Sequence, residues 1–554
     1  MPTIEISKKD LNELTGIKLE LEEAMPMIKA EASIDENNKD KIKVELKDVN
    51  RPDLLSVEGI AKEIKLKAGV DKPAKQYKIT KKDCTIHIEK KVKAIRPFIA
   101  CAIAKDVEVT EELLKQLIQL QEKLCEYFGR KRKEAALGIF DFDKINWPIT
   151  YTTKNPDSFS FRALEMDKEY SLKKILSIHE KGKEYGHLLE NCKEYPIIID
   201  NKNNVLSMPP IINSDYSGKI NEKTKNLFIE VTGSSEIFVM PILNTVVLAL
   251  LERGAKIEQV TITKEGSKEK RISPDIEGKI MKISIESINS TLGLDLTNKK
   301  IIELLEKSGY ISEDKGKEII ITIPFYRQDI IDARDIIEDI AISYGYNEFE
   351  PELPNLSTTG KISKENYAIE KIANLLSGLK GQEISNFILT NKDTLFKKTN
   401  QKETEIVEIA NPMSNLYSCM RHNLMPGILE FLNENKNVRY PQELYEIGKI
   451  IQIENSKIQE KYNLCYSIAS VDANFTSIKQ VLDFLFNILG EEYKLEPLSN
   501  SLFIEGRAAK ILLKNKNEFE ELGLIGEINP NVLENFNLTM PTACLEINLD
   551  KIIG

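Results

Sequence analysis

Apolar residues recur along this chain at the two spacings that distinguish helices from strands. From about Asp332 onward the spacing is helical, and at about 100° per residue the apolar side chains fall on one side of the helix. That stripe consists of Ile336, Ile337, Ile340, Ala341 and Tyr344. Similar stripes or apolar runs predict helices within 113–124, 238–251, 367–376 and 478–489.

Shorter runs predict strands, which alternate with the helices along the chain. These runs cover 42–46, 226–233, 319–323, 404–409 and 509–513. Pro52, which follows a polar pair, predicts the start of a helix with a buried stripe from Val57 to Ile64. The mixture of elements predicts an α+β fold.

The length of the chain predicts roughly three or four domains. We expect a small N-terminal module at 1–90, a second domain at 91–265, a helix-and-strand module at 268–350 and an α+β domain at 360–554. Pro351, Pro354 and the small polar residues at 357–360 predict a linker before the last domain.

Composition narrows the class of protein. The net charge is 77 − 87 = −10, which argues against a generic polyanion binder. Seven cysteines without Cys-x-x-Cys pairing suit a reducing cytosol and argue against zinc. The N-terminus lacks the apolar core of a signal peptide, and the apolar run 238–251 contains Pro241 and Asn244 and is too short to span a bilayer. We therefore expect a cytoplasmic protein without a membrane segment.

Four acidic residues form the strongest chemical signal. Asp335, Glu338 and Asp339 lie opposite the apolar stripe of their helix, and Asp329 arrives from the strand at 319–323. Like charges at this spacing repel, so the cluster favours a cation, and oxygen ligands alone favour magnesium or calcium. A solvated acidic helix face, partly neutralised by Arg327 and Arg334, is the alternative interpretation.

Other kinds of site find little support. Neither a Gly-rich phosphate loop nor a Gly-x-Ser-x-Gly turn is present, which argues against a phosphate cradle or a serine hydrolase. His422 beside Arg421 is typical of a structural pair. The basic run at 130–133 has two interpretations, a contact with RNA phosphate or a solvated helix terminus, and the second is more typical of such a run.

The acidic stretch closely resembles a known module. It reads Tyr-Arg-x-Asp at 326–329, Asp-Ile-Ile-Glu-Asp at 335–339 and Ile-Ala-Ile-x-Tyr-Gly-Tyr at 340–346. This pattern resembles the magnesium-bearing module of phenylalanyl-tRNA synthetase β subunits of the archaeal and eukaryotic type. The resemblance implies that Asp329, Asp335, Glu338 and Asp339 are the Mg²⁺ ligands.

The resemblance continues on both sides of that module. The stretch from Asp48 to Leu54 resembles the family's N-terminal module, and Leu-Gly-Leu at 292–294 resembles the first half of the magnesium module. Asn-Pro at 411–412, Met-Arg-His-Asn-Leu-Met-Pro-Gly at 420–427 and Glu-Gly-Arg-Ala-Ala at 505–509 resemble the family's last domain. That domain is implied to be a catalytically silent, class II synthetase-like assembly domain, because no Gly-x-Gly-x-x-x-Arg motif is present to hold ATP.

The second domain resembles the family's editing domain, an aminoacyl-tRNA deacylase that removes misattached tyrosine. The matching positions are Leu206, Ser214, Glu230 and Thr232. The resemblance implies that Glu230 recognises the phenol and that Thr232 or Ser214 positions the hydrolytic water. Taken without the resemblance, Glu230 and Thr232 are typical of two residues that alternate on one face of a strand.

The implied function is that of the β subunit of phenylalanine–tRNA ligase, a cytoplasmic α₂β₂ heterotetramer that charges tRNA(Phe). The α subunit would hold ATP and phenylalanine. A free-standing tRNA-editing deacylase and a metal-stabilised scaffold subunit are the alternatives.

Overall fold

A computed structural model describes residues 2–17, 25–28, 30–34, 38–47, 49–73, 77–515 and 518–553. Asp48, the first residue of the N-terminal motif, lies outside the described residues. Contacts divide the chain into two compact units, Met1–Glu352 and Leu353–Gly554. The division falls within the proline-containing stretch that was predicted as a linker.

The first unit begins with a small antiparallel sheet in the order β1 (Thr3–Ser7), β3 (Lys41–Leu46) and β2 (Ala30–Ile34). The helix Lys8–Thr15 follows β1, and its N-terminus is capped by Ser7. The prediction that a helix starts at Pro52 was wrong. Pro52–Leu55 forms a separate 3₁₀ turn, and the helix Val57–Lys67 begins only after Ser56, whose hydroxyl accepts a hydrogen bond from the Gly59 amide.

A large mixed sheet forms the middle of the first unit. Its strands are β4 (Ile79–Ile88), β5 (Phe98–Lys105), β6 (Ala135–Asp141), β7 (Ile149–Lys154), β10 (Tyr195–Ile199), β11 (Val205–Met208), β12 (Ile212–Asn213), β13 (Leu227–Gly233), β14 (Lys256–Lys264) and β15 (Lys270–Ser273). Their order is β12-β11-β10-β7-β4-β14-β5-β13-β6, with β15 paired to β14. A short hairpin, β8 (Ser160–Phe161) and β9 (Tyr170–Ser171), lies outside this sheet.

Helices cover the sheet. They are Glu111–Lys123, Leu172–Ile178, Glu180–Tyr185, Asp215–Gly218 and Glu236–Glu252. The helix Glu236–Glu252 is buried along most of its length, which confirms the helix predicted for the apolar run. Within the described residues, no helix is long and apolar enough to cross a membrane.

The two end strands of the sheet approach one another, because the Asn213 side-chain amide of β12 donates to the Ile139 carbonyl of β6 at 3.5 Å. Alternation along β13 separates the two faces. Ile229 and Val231 pack with the helices Glu111–Lys123 and Glu236–Glu252, whereas Phe228 packs on the other face with Tyr151 and Leu206. Glu230 and Thr232 share the face of Phe228.

The first unit ends in a third sheet, with the order β16 (Lys279–Ser284), β18 (Glu318–Ile323) and β17 (Ile311–Asp314). Its helices are Ile285–Leu292, Asn298–Glu306 and Ala333–Tyr344. The predicted stripe of the last helix is confirmed, since Ile336, Ile337, Ile340 and Ala341 are buried. Asp332 caps this helix, and Asp335 completes a capping box.

The second unit contains a mainly antiparallel sheet between two hydrophobic clusters. Its order is β19 (Gln382–Glu383), β22 (Gln442–Glu454), β23 (Lys457–Ala469), β27 (Thr542–Asn548), β26 (Glu518–Ile528), β25 (Phe503–Asn515) and β24 (Tyr493–Pro497). A ladder of β20 (Leu389–Thr390) and β21 (Cys419–Met420) lies apart from it. The helices are Lys364–Gly378, Met425–Glu434, Phe475–Leu489, Pro530–Asn535 and Asp550–Ile553.

The helices predicted at 367–376 and 478–489 and the strand at 509–513 are confirmed. The strand predicted at 404–409 was wrong. Among the described residues, only Glu408 forms a bridge there, to Cys419, because this stretch has no long partner strand in that part of the chain. The chain is therefore a multidomain protein of mixed helices and strands.

Candidate functional site

Glu230 and Thr232 point to the same side of β13, as their spacing predicted. β13 pairs with β5 on one side and with β6 on the other, so the middle of the strand is fixed by two ladders. Glu230 is 3% exposed and Thr232 is 0% exposed. Two polar side chains are thus held in a buried position by the most regular part of the sheet.

Both residues line a cavity of about 420 Å³, whose lining also includes residues of the end strands β6 and β12 and of the helix Glu111–Lys123. This volume is in the range of small-molecule sites in proteins, about 300–1,000 Å³. The walls combine apolar side chains with a few polar groups. They include Leu117, Ile118, Arg132, Leu137, Ser207, Pro209, Pro210, Ile212, Asn213, Asp215 and Lys219.

The Glu230 carboxyl group is only partly hydrogen-bonded. Its Oε1 accepts from the Ser207 hydroxyl at 3.3 Å, and Oε2 has no partner among the described residues. Gly138 lies opposite in β6, and a Cβ atom there would lie 2.9 Å from Oε1, so the glycine makes room for the carboxyl group. Burial raises the pKa of Glu230 to about 8, although the charge of Arg96 and the Ser207 bond lower it.

Thr232 is held by a buried arginine that sequence reasoning missed as a site residue. Arg96 Nε donates to Thr232 Oγ1 at 3.1 Å, and Nη2 donates to the Thr232 carbonyl at 2.7 Å. Arg96 is 5% exposed, and burial lowers its pKa. The Arg-Pro pair before β5 was visible in the sequence, but its contact with a residue 136 positions later was not.

Leu206 and Ser214 lie next to each other but do not line this cavity. The Ser214 amide donates to the Leu206 carbonyl at 2.7 Å. The Leu206 side chain packs in the apolar cluster with Phe228, and Ser214 caps the short helix Asp215–Gly218. Ser207 and Asn213, one position away from each, line the cavity instead.

The sequence pattern predicted that the basic run at 130–133 is a solvated helix terminus, and this holds for only part of the run. Arg130, Lys131 and Lys133 are exposed, but Arg132 is half-buried. Its Nη1 donates to the carbonyls of Pro210 at 3.1 Å and of Ile211 at 2.8 Å. Arg132 therefore fixes the wall of the cavity that faces Glu230.

The four predicted metal ligands line one small cavity of about 60 Å³. Two of them share a buried cation, Arg327. Its guanidinium binds Asp329 through Nε at 2.8 Å and Nη2 at 2.6 Å, and the same Nη2 binds Asp339 at 2.6 Å. Burial opposes ionisation of Asp329, yet the Arg327 bonds hold its pKa below the usual range.

The other two acids lie further toward solvent. Asp335 Oδ2 accepts from the backbone amides of Ile331 at 2.7 Å and Asp332 at 2.9 Å, and Glu338 is exposed. In the described part of the chain, no three His, Cys, Asp or Glu side chains are grouped so that they would hold a metal ion as they stand. The acidic helix face is therefore partly neutralised by Arg327. The alternative interpretation, a solvated acidic face, predicted this role for Arg327.

The N-terminal module supplies further charges to this cavity. Arg51 forms ion pairs with Asp53 at 2.7 Å and Glu63 at 3.0 Å and lies 3.9 Å from Asp329. The described residues that line the cavity carry more negative than positive charge. The acids are Glu63, Asp329, Asp335, Glu338 and Asp339, and the bases are Arg51 and Lys67.

In the second unit, Arg421 and His422 have structural environments. Arg421 forms a buried ion pair with Glu446 at 2.5 Å. His422 stacks on Phe396 with ring centroids 5.2 Å apart, and burial lowers its pKa. These contacts agree with the structural role that was expected for the pair.

Comparison with known proteins accounts for most of the chain. Residues 350–549 match the family described as phenylalanyl tRNA synthetase beta chain CLM domain. The tRNA synthetase B5 domain matches residues 281–346, and the B3/4 domain matches residues 124–265. The chain is 41% identical to the phenylalanine–tRNA ligase β subunit of Pyrococcus horikoshii, with 99% of both chains aligned. It is 40% identical to the β subunit of Pyrococcus furiosus, with 100% of both chains aligned. The chain belongs to the phenylalanine–tRNA ligase β-subunit family.

A solved structure supports the first unit. An N-terminal fragment of the phenylalanyl-tRNA synthetase β subunit from Pyrococcus horikoshii is 42% identical, with a TM-score of 0.60. The match covers 62% of this chain and all of the fragment. The family resemblance is thus confirmed, and with it the role of a β subunit in an aminoacyl-tRNA synthetase.

Proposed function

We propose that the cavity around Glu230 and Thr232 hydrolyses tyrosyl-tRNA and so proofreads the product of phenylalanine–tRNA ligase. The observation that carries this proposal is that Glu230 lines a 420 Å³ cavity while one oxygen of its buried carboxyl group has no hydrogen-bond partner among the described residues. A phenol hydroxyl would satisfy that oxygen. Phenylalanine would leave it unpaired, which a buried polar group tolerates poorly.

The ionisation of Glu230 suits this role. Because its pKa is raised to about 8, the carboxyl group is mostly protonated at neutral pH. It therefore presents both an O–H donor and a carbonyl acceptor to the phenol. Thr232, two residues along the same face, would contact the ester bond or the hydrolytic water, whereas Ser214 would act indirectly through the wall at 207–213.

The test uses the enzyme assembled with its α partner. Glu230→Ala combined with Thr232→Val should let tyrosyl-tRNA accumulate, while phenylalanylation continues at nearly the normal rate. Glu165→Gln, at an exposed position on the rim of the same cavity, is the matched control. If the double variant clears preformed tyrosyl-tRNA at the wild-type rate, editing is not performed in this cavity.

We also propose that the chain works in a cytoplasmic α₂β₂ heterotetramer on tRNA(Phe), with ATP and phenylalanine held by the α subunit. The β-subunit names of relatives aligned over the full length support this reading against a free-standing deacylase or a pure scaffold. The last domain, which lacks an ATP-holding motif, would serve assembly. Stoichiometric co-purification with an α-type synthetase chain tests this proposal.

We further propose that Mg²⁺ binds at the acidic cluster. Oxygen donors and the excess of negative charge suit this ion, which keeps several waters and takes one or two carboxylates directly. Asp335 and Glu338 would be those carboxylates, since Arg327 already serves Asp329 and Asp339. The ion would neutralise the exposed end of the cluster, and the two inner acids would act through water.

A further inference from the structure

Arg96 is a buried cation whose charge has no ion-pair partner among the described residues. It lies between the 3₁₀ turn Lys90–Ala94 and β5, and it is 5% exposed. Its guanidinium donates to the Thr232 hydroxyl, to the Thr232 carbonyl and, at 3.2 Å, to the Lys133 carbonyl. Neutral acceptors compensate a buried charge only in part, so the position is expensive in stability.

The contact with Arg96 fixes the direction of the Thr232 hydroxyl. A hydroxyl has one hydrogen to donate, and an arginine can donate but cannot accept. Because Nε fills a lone pair of Thr232 Oγ1, the hydroxyl hydrogen must point elsewhere. No described residue accepts it, and Thr232 lines the cavity. The hydroxyl hydrogen is therefore left for a molecule bound in the cavity.

Arg96 also acts on Glu230 through its charge. Around the Glu230 carboxyl group lie Ser207, Cys101, Tyr151 and Cys125, and Arg96 is the cation among the described groups that influence its ionisation. The Tyr151 hydroxyl donates to the Arg96 carbonyl at 3.0 Å, which anchors the arginine backbone. One side chain thus links the two residues of the proposed editing pair.

We infer that Arg96 is a positioning residue of this site, which aims the Thr232 hydroxyl at the carbonyl oxygen of the tyrosyl ester. This inference rests on the proposed editing function. Water adds to the ester carbon, and the carbonyl oxygen takes up the negative charge. Collapse then expels the ribose oxygen, which leaves with a proton from the attacking water. Thr232 donates to the oxygen while it is charged, and the nearby guanidinium strengthens that donation.

The experiment is a double-mutant cycle in the assembled enzyme, read by hydrolysis of preformed tyrosyl-tRNA. Arg96→Gln and Thr232→Val should each lower kcat by about tenfold to a hundredfold, with little change in KM. At about pH 6, where Glu230 stays protonated in every variant, the double variant should be no slower than Thr232→Val alone, because Arg96 then acts through Thr232. Arg96→Lys, which keeps a charge and a donor, should recover part of the rate.

The pH profile separates positioning from simple support of the fold. Loss of the Arg96 cation should raise the pKa of Glu230. The part of the pH profile of hydrolysis that depends on Glu230 should therefore move to higher pH in Arg96→Gln and return in Arg96→Lys. Arg271→Gln, which removes a surface partner of Glu236, is the control and should leave the profile unchanged. Phenylalanylation by the same preparations checks assembly. If Arg96→Gln fails to assemble, Arg96→Lys alone should still lower kcat, but it should cause no further loss of kcat in the Thr232→Val background.

The outcomes are distinct. Independent, multiplicative effects in the cycle, or an Arg96→Gln enzyme with wild-type kcat and pH profile, would overturn the role of Arg96 while leaving editing intact. A wild-type enzyme that does not hydrolyse tyrosyl-tRNA would overturn the proposed function, and the role of Arg96 with it.

Discussion

Replacement of Glu230 by glutamine should stabilise the first unit, and increasingly so as the pH rises. Glutamine keeps the shape of the side chain but cannot ionise. The carboxyl group has a pKa of about 8 in the folded chain, against an ordinary value of 4.5. The folded state therefore holds this proton more tightly than the unfolded state, and ionisation of Glu230 opposes folding.

The size of the effect follows from the two pKa values. One pKa unit corresponds to 1.36 kcal/mol, so the full penalty is about 5 kcal/mol once the pH exceeds the folded value. It begins near the unfolded value, reaches about 2 kcal/mol at pH 6 and approaches about 5 kcal/mol at pH 9. The advantage of Glu230→Gln over the wild type should therefore grow by about 3 kcal/mol between these two pH values.

Urea unfolding at pH 6 and pH 9 measures this difference. The chain has one tryptophan, and Trp147 packs edge-on against Phe228 in β13 with ring centroids 5.4 Å apart. Its fluorescence thus reports the unfolding of the strand that carries Glu230. Glu165→Gln, at an exposed position, should show no comparable pH dependence. An advantage of the same size at both pH values would mean that Glu230 ionises normally and that the cavity is wet.

Three further outcomes are expected. Asp335→Asn combined with Glu338→Gln should lower Mg²⁺ affinity at least tenfold by calorimetry, whereas the exposed Glu313→Gln should not; equal affinities would remove the metal assignment. Arg327→Met should cost about 3–5 kcal/mol in urea unfolding at pH 7, because two acids lose their buried cation, and a cost below about 1 kcal/mol would contradict that account. The isolated chain should give no phenylalanine-dependent pyrophosphate exchange, and addition of the α chain should restore it; exchange by rigorously partner-free chain would disprove the assignment of activation to the α subunit.

The spacing of apolar residues predicted those helices and strands whose buried face is determined by their own sequence. The stripe around Ile336 and Ile340 has a helical period, and the structure has a helix at Ala333–Tyr344. The spacing of apolar residues fails as a guide where pairing with a distant strand decides. The stretch 404–409 is apolar enough for a strand, but the residues that the structure describes offer it no long partner strand. Pro52 was misread for a local reason, since it opens a 3₁₀ turn that precedes the α-helix, and Ser56 caps the α-helix itself.

The site around Glu230 likewise has features that local spacing predicts and features that depend on distant contacts. The shared direction of Glu230 and Thr232 follows from residue spacing on one strand, so sequence sufficed for it. The contacts of Arg96 and Ser207 join residues far apart in the chain. The Arg96 contact depends on the pairing of β5 with β13, and the Ser207 contact depends on how β11 approaches β13 across the sheet. The one-residue difference between Leu206 and Ser207 decides which of them faces the cavity, and family resemblance alone does not resolve it.

Two buried arginines of the first unit, Arg327 and Arg96, differ in how their charge is balanced. Arg327 forms ion pairs with Asp329 and Asp339, each at 2.6 Å. These carboxylates balance its charge within the protein, so its role is structural. The acid nearest in effect to Arg96 is Glu230, which is mostly neutral at pH 7 because its pKa is about 8. When Glu230 is protonated, the charge of Arg96 beside Thr232 therefore has no counter-ion among the described residues. A cation in this position contributes little to the binding of a neutral ester, but it stabilises the anionic oxygen that forms during hydrolysis. Catalysis requires this stronger stabilisation of the transition state than of the bound ester.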